Sequence, residues 1–226
     1  MEELEHKSFL FGLLHEAVPD HVLMALFIGL LLMVGAVWFR TRIRVEEPGR
    51  LQLVLEAAVG GLIGMLNENV GPKGPKFLSL VGTLGLFILT CNLAGLVPGL
   101  SSPTTNLNVP VGCALVSFLY YNYQGVLAQG LLPYLKHFLG PVLPMAIIML
   151  PIEIISHISR VLSLSMRLFG NIFGEELVIL VLASLVPFLV PLPMMAFAVF
   201  GSLLQAFVFI MLTMIYLGGA VALEEH

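Results

Sequence analysis

Residues 159–177 read SRVLSLSMRLFGNIFGEEL, an apolar and hydroxyl-bearing stretch with Arg167 at its centre. Its reading decides the fold, because a charge placed at membrane depth is costly and is usually paired or put to use. Followed outward, the chain from Val142 to about Leu185 has no strong helix breaker after Pro151 except Gly170 and Gly174. A helix of that length is about 65 Å long, roughly twice the hydrocarbon thickness of a bilayer. It must tilt steeply, kink or break. Pro187, Pro191 and Pro193 then supply a turn, and Met194 to Leu223 returns as a second long apolar helix. The pattern predicts a slanted helical hairpin.

Composition points the same way. The 226 residues are 58% hydrophobic and 11% charged, whereas soluble domains are about 25% charged. Two stretches, Phe77 to Leu135 and Leu177 to Leu223, carry no Asp, Glu, Lys or Arg. Each holds two crossings of about 20 apolar residues. The expected fold class is an all-α polytopic membrane protein, since barrel strands would be shorter and would alternate polar with apolar residues. Acidic residues crowd the N-terminus (Glu2, Glu3, Glu5, Glu16, Asp20), and Arg40, Arg42, Arg44 and Arg50 follow the first apolar run. Counted by the positive-inside rule, the N-terminus lies outside and the arginines lie in the cytoplasm. The first segment lacks the basic and short apolar regions of a cleaved signal, so the first run is expected to be a retained helix. Cys91 and Cys113 sit in apolar runs without metal-type spacing and read as reduced packing residues.

The chain is expected to form a single membrane domain over 1–226, with an outer N-terminal segment (1–20), N-terminal helices (21–140) and the hairpin (141–226). His21 to Phe39 is helix 1. Glu46 to Lys76 repeats apolar residues at helical spacing (Leu51, Leu55, Val59, Leu62, Leu66), which suits an amphipathic helix at the cytoplasmic surface. Phe77 to Val97 crosses outward, Pro98 to Asn108 forms an outer loop, and Val109 to about Tyr121 begins the third crossing. Lys136 and His137 mark a cytoplasmic turn or helix end. No internal repeat supports the paired-half design common in secondary transporters.

The polar residues of the first hairpin helix are arranged by face. At 100° per residue, Arg160, Ser163, Arg167 and Asn171 share a stripe, Glu153 lies about 40° off it, and Glu176 is almost opposite Arg167. A positive centre on one face and a carboxylate on the other can serve a passing object and a water path separately. Other readings stand beside this one. Arg160 either snorkels or pairs with Glu153; Ser156, Ser159, Ser163 and Ser165 bond back to their own helix or line a path. His157 is a packed or a proton-carrying residue, and Asn171 a helix–helix contact or a lining group. Arg167 has no carboxylate at a matching position on its own helix, which points to a counter-charge from another subunit. Gln205 stands alone in the last helix and needs a partner, best supplied by the facing Arg167–Asn171 stripe. No phosphate-cradling loop, metal cluster or Ser/His/Asp grouping rises above chance, so any nucleotide is bound elsewhere and no cofactor is expected.

The run Ser163-Leu164-Ser165-Met166-Arg167-Leu168-Phe169-Gly170-Asn171, with Glu176-Leu177 and then Leu204-Gln205-Ala206-Phe207, resembles subunit a of the bacterial F-type ATP synthase. The resemblance is strong over 143–226, where the ending Glu224-Glu225-His226 is also similar to bacterial members. It is traceable through Asn92 to Pro98 and Pro103 to Val109, and rests mainly on layout before residue 75. It implies a non-enzymatic stator that carries protons to and from a rotating ring of c subunits. Arg167 would meet each ring carboxylate and block a leak between two aqueous half-channels; arginine suits the task because it stays charged. Asn171, Glu176 and Gln205 match positions that line or support the access path, Glu153 a cytoplasmic-side carboxylate, and Ser163 a polar lining position. Departures also occur. Ala198 stands where some relatives carry a histidine paired with the carboxylate at Glu176, and Glu175 is placed to supply the missing polar group. Asn106 stands where some carry an aspartate at the channel mouth.

The implied partners are the c-subunit ring, the subunit b stalk, the F1 sector and the lipid bilayer, with no nucleic acid. The implied location is a bacterial inner membrane, favoured also by the absence of a transit-like N-terminus. Three alternatives remain: sodium as the coupling ion, a stand-alone channel or secondary transporter, and a membrane assembly scaffold.

Overall fold

The computed structural model describes residues 19–44, 48–97, 100–130, 132–134, 146–185 and 191–221. Its long helices are α1 (Asp20–Arg40), α2 (Arg50–Val70), α3 (Leu78–Ala94), α4 (Asn108–Gln129), α5 (Ala146–Leu185) and α6 (Pro191–Val221). Short 3-10 turns at Gly74–Phe77 and Pro103–Thr105 lead into α3 and precede α4. Among the described residues the chain is helical wherever it is regular, with no strand. Five segments are long and apolar enough to cross a membrane: Asp20–Arg40, Arg50–Val70, Gly74–Ala94, Ile147–Leu185 and Pro191–Val221.

The helix boundaries follow local chemistry. Gly71 closes α2 at a φ of 88°, a conformation open to glycine because it has no Cβ. Pro191 and Pro193, expected in the turn of the hairpin, instead belong to the first residues of α6. Proline is tolerated there because the first helical N–H groups have no intrahelical acceptor to lose. The helix expected to begin at Val109 as a third crossing starts at Asn108 and runs on to Gln129; it is not one of the five apolar segments, whereas Arg50–Val70, expected at the membrane surface, is. Lys136, His137, Pro187 and the ends of the chain lie outside the described residues.

α5 is a single helix of 40 residues that runs through Pro151 and both of its glycines. It packs against α4 and α6, and α6 packs also against α3, α4 and α2. Two apolar clusters hold this arrangement. One joins Leu66, Phe77, Val81, Tyr121, Met214 and Leu217; the other joins Ile88, Cys113, Leu164, Leu168, Ile172 and Phe209. Cys91 and Cys113 are free and buried, consistent with packing residues. Leu164, Leu168 and Ile172 fix which way α5 faces. With those three in a cluster shared with α3, α4 and α6, the opposite side of the helix is left uncovered by the described residues.

Candidate functional site

The uncovered side of α5 carries Ser159, Ser163, Met166, Arg167, Gly170 and Asn171, all exposed. The inward side carries Leu164, Ser165 and Leu168, each 3% exposed or less. Ser165 bonds back to the carbonyls of Val161 and Leu162, at 2.9 and 3.1 Å, which is a local role for this serine. Among the described residues no carboxylate lies within ion-pairing distance of Arg167. The guanidinium is thus presented outward without a counter-charge from the described residues of its own chain.

One turn along, Asn171 donates from Nδ2 to Gln205 Oε1 of α6 at 2.7 Å. The amide of Gln205 is 1% exposed, and its Nε2 has no protein partner among the described residues. This is the cross-hairpin contact that an isolated amide in an apolar helix requires.

Glu175 and Glu176 diverge. Glu175 is directed at α6, where its carboxylate lies so close over Gly201 that a Cβ there would meet Oε1. Ala198, one turn before Gly201, is 2% exposed. Glu176 turns instead to the end of α3 and the following loop. It accepts the backbone N–H of Ser102, and a Cβ on Gly95 would lie 2.7 Å from its Oε1. The glycines at 95 and 201 are therefore the seats of the two carboxylates.

Around Glu176 is a buried polar network. Ser102 Oγ lies 2.9 Å from the Cys91 carbonyl and 2.7 Å from Thr104 Oγ1, and Thr104 donates to Asn92 Oδ1 at 2.8 Å. Asn92 Nδ2 and Ser101 Oγ are buried with no protein partner among the described residues. Unpaired polar atoms of this kind call for water. In the sequence, Ser101, Ser102 and Thr104 are only part of a polar loop. The available signal was Asn92, an amide inside an apolar helix that had to find partners. Asn106 is not part of this network: its Oδ1 accepts the N–H of Asn108 at 3.1 Å, and the Asn108 amide faces His21 Nε2 at 3.4 Å.

At the other end of α5, Glu153 Oε1 is 3.4 Å from His157 Nε2. His157 Nδ1 lies 3.1 Å from the Tyr121 hydroxyl of α4. The Arg160 guanidinium sits over the Tyr216 ring of α6, 5.3 Å from its centre. Glu153 thus pairs with His157 rather than directly with Arg160, because His157 lies one turn away on the inward side of the helix.

The structure therefore brings Asn171 and Gln205 together one turn beyond Arg167, and keeps the carboxylates of Glu153 and Glu176 apart. Glu153 and Glu176 fall about 21 Å before and about 14 Å after Arg167 along the helix axis. Each is joined to different neighbouring elements.

Comparison with known proteins adds independent information. The sequence model of the family described as ATP synthase A chain matches residues 22–218. The chain is 46% identical over 213 residues to ATP synthase subunit a 3 of Pelobacter propionicus, covering 94% of this chain and 91% of that one. It is 42% identical over 222 residues to ATP synthase subunit a of a Campylobacter jejuni strain, covering 96% and 97%. It is 43% identical over 223 residues to ATP synthase subunit a of a Nitratiruptor species, covering 98% and 94%.

Proposed function

Because this chain belongs to the ATP synthase subunit a family, we propose that it is the proton-translocating stator of the membrane sector and couples proton flow to rotation of a c-subunit ring. The observation that carries this reading is the exposed Arg167, without a counter-charge among the described residues, in the middle of the uncovered side of α5. A cation in that position is stabilised by a carboxylate brought to it from outside. Arginine favours the ionised form of any carboxylate that reaches it. A ring carboxylate arriving protonated would release its proton near Arg167, pass as the anion, and take up a proton on the far side.

Two separate aqueous paths serve these steps. One reaches Glu176 through the polar network of Asn92, Ser102 and Thr104, with Asn106 near its mouth and Glu175, Asn171 and Gln205 along its inner part. The other reaches the ring from the side of Glu153 and Ser163. Arg167 stands between them, and its permanent charge opposes direct transfer of a proton from one to the other. Glu175, over Gly201 and close to Ala198, supplies the second polar group of the first path.

The hairpin α5–α6 lies obliquely, since 40 residues of helix exceed an upright crossing. α2 lies at the cytoplasmic surface and α1 crosses with its N-terminus outside, the cluster Arg40 to Arg50 holding the cytoplasmic end. The setting is a bacterial plasma membrane. The subunit b stalk and the F1 sector complete the complex, and nucleotide chemistry takes place in the latter. Sodium in place of the proton leaves this geometry unchanged, because the ring's own site selects the ion.

Cross-linking tests the ring-facing assignment. In the whole complex, Met166→Cys and Gly170→Cys are expected to cross-link to c subunits with a short bifunctional reagent, whereas Leu30→Cys on α1 is not. Absence of cross-links from both hairpin positions in an assembled complex would refute it. Ion flux through the isolated chain in liposomes would instead favour a stand-alone channel.

A further inference from the structure

The two arginines of α5 lie seven residues apart on nearly the same side of the helix, yet only Arg167 is exposed. Arg160 is held inward over Tyr216 of α6 and also interacts with the Tyr121 hydroxyl of α4. Tyr121 is 2% and His157 9% exposed. Their rings stack with centroids 6.2 Å apart and planes 17° apart, and Phe118 meets the imidazole edge-on at 5.7 Å.

One proton arrangement fits the contacts of this cluster among the described residues. Tyr121 O–H donates to Nδ1 of a neutral imidazole, which turns Nε2–H toward the Glu153 carboxylate 3.4 Å away and leaves the Tyr121 oxygen facing the Arg160 guanidinium that sits over the neighbouring Tyr216 ring. The cation and the carboxylate, seven residues apart, are joined through two buried neutral groups.

We infer that Tyr121 and His157 form a positioning bridge that holds Arg160 back against Tyr216, leaving Arg167 as the one cation on the uncovered stripe. The inference rests on the stator reading. A released Arg160 would stand about 10 Å along the helix from Arg167. There it would hold a passing carboxylate ionised at a second point and weaken the separation of the two paths.

The bridge depends on the charge of His157. An imidazolium carries N–H on both nitrogens and no longer accepts from Tyr121, and its charge repels Arg160. Among the described residues, the titratable and charged groups facing His157 are Glu153 and Arg160 on α5, Tyr121 on α4 and Tyr216 on α6. Tyr134 also faces the cluster, with its hydroxyl bonded to Asn122 Oδ1 at 2.7 Å.

The test is ATP-driven proton pumping by whole complexes in membrane vesicles, normalised to assembled complex. His157→Leu and Tyr121→Phe should each lower coupled pumping about threefold or more at about pH 8, and adding Arg160→Gln to either should restore it to the level of Arg160→Gln alone. His157→Gln keeps one donor and one acceptor but cannot titrate, so it should retain pumping. It should also lack the loss of pumping expected of the native complex on acidification, when His157 takes up a proton and the bridge opens. Three results would each overturn the inference: unchanged pumping in His157→Leu and Tyr121→Phe, a defect that Arg160→Gln does not relieve, or failure of Tyr121→Phe to assemble. Arg167→Ala, run alongside, separates the two ideas. Pumping that persists there removes the stator reading itself, whereas its loss there beside normal Tyr121→Phe removes only the bridge.

Discussion

At the scale of single residues, the pairings on α5 decide what each side chain is free to do. Asn171 and Gln205 spend their best contact on each other, which leaves the Gln205 amide nitrogen available to water. Removing such a pair in a membrane bundle costs about 0.6 kcal/mol on average and at most about 1.7 kcal/mol. Gln205→Ala should therefore still assemble, and its expected loss of pumping, several-fold by vesicle acidification, would reflect the path rather than folding. Gly95 gives a second prediction. A methyl group at that position would occupy the place of Glu176 Oε1, 2.7 Å away. Gly95→Ala is expected to depress pumping as strongly as Glu176→Gln. Gly201→Ala displaces Glu175 in the same way and should match Glu175→Gln; a wild-type rate in Gly201→Ala beside an impaired Glu175→Gln would show that the carboxylate acts from elsewhere.

At the scale of elements, α5 carries most of what was legible in the sequence and α4 much of what was not. The length of α5 and the common stripe of Ser163, Arg167 and Asn171 follow from helical periodicity, whereas the sequence leaves open whether so long a helix tilts, kinks or breaks, and α5 runs on unbroken through Gly170 and Gly174. The contact to Gln205 follows from the cost of a buried amide without a partner. The placement of Glu153 did not follow, because the residue that takes it, His157, is itself fixed by Tyr121 of α4. No periodicity within α5 encodes a neighbour contributed by another helix. The loop before α4 was opaque for the same reason: Ser102 and Thr104 acquire their role only when Asn92 of α3 comes beside them. The start of α6 at Pro191 illustrates a different limit, since proline marks both a turn and a first helical residue. Thr104→Val, which keeps the shape but removes the hydroxyl, should leave Asn92 Oδ1 without its donor. It is expected to slow pumping while the complex still assembles, measured as rate per assembled complex.

At the scale of the whole molecule, the helices are arranged around an omission. Apolar clusters at two levels along α6 hold α3, α4 and α5 in place, and the side of α5 with Arg167 has no cover from the described residues of its own chain. Two carboxylates stand before and after that arginine, each tied into a different part of the bundle. Such a layout suits a stator that offers one fixed cation to a moving partner and two separate routes for water. The central claim is that Arg167 both draws the proton from each ring carboxylate and keeps the two routes apart. The direct measurement is ATP-driven proton pumping and passive proton leak in membranes containing the whole complex with Arg167→Ala. Loss of coupled pumping together with a raised leak is the result this account predicts. Unchanged pumping in a fully assembled Arg167→Ala complex would contradict it.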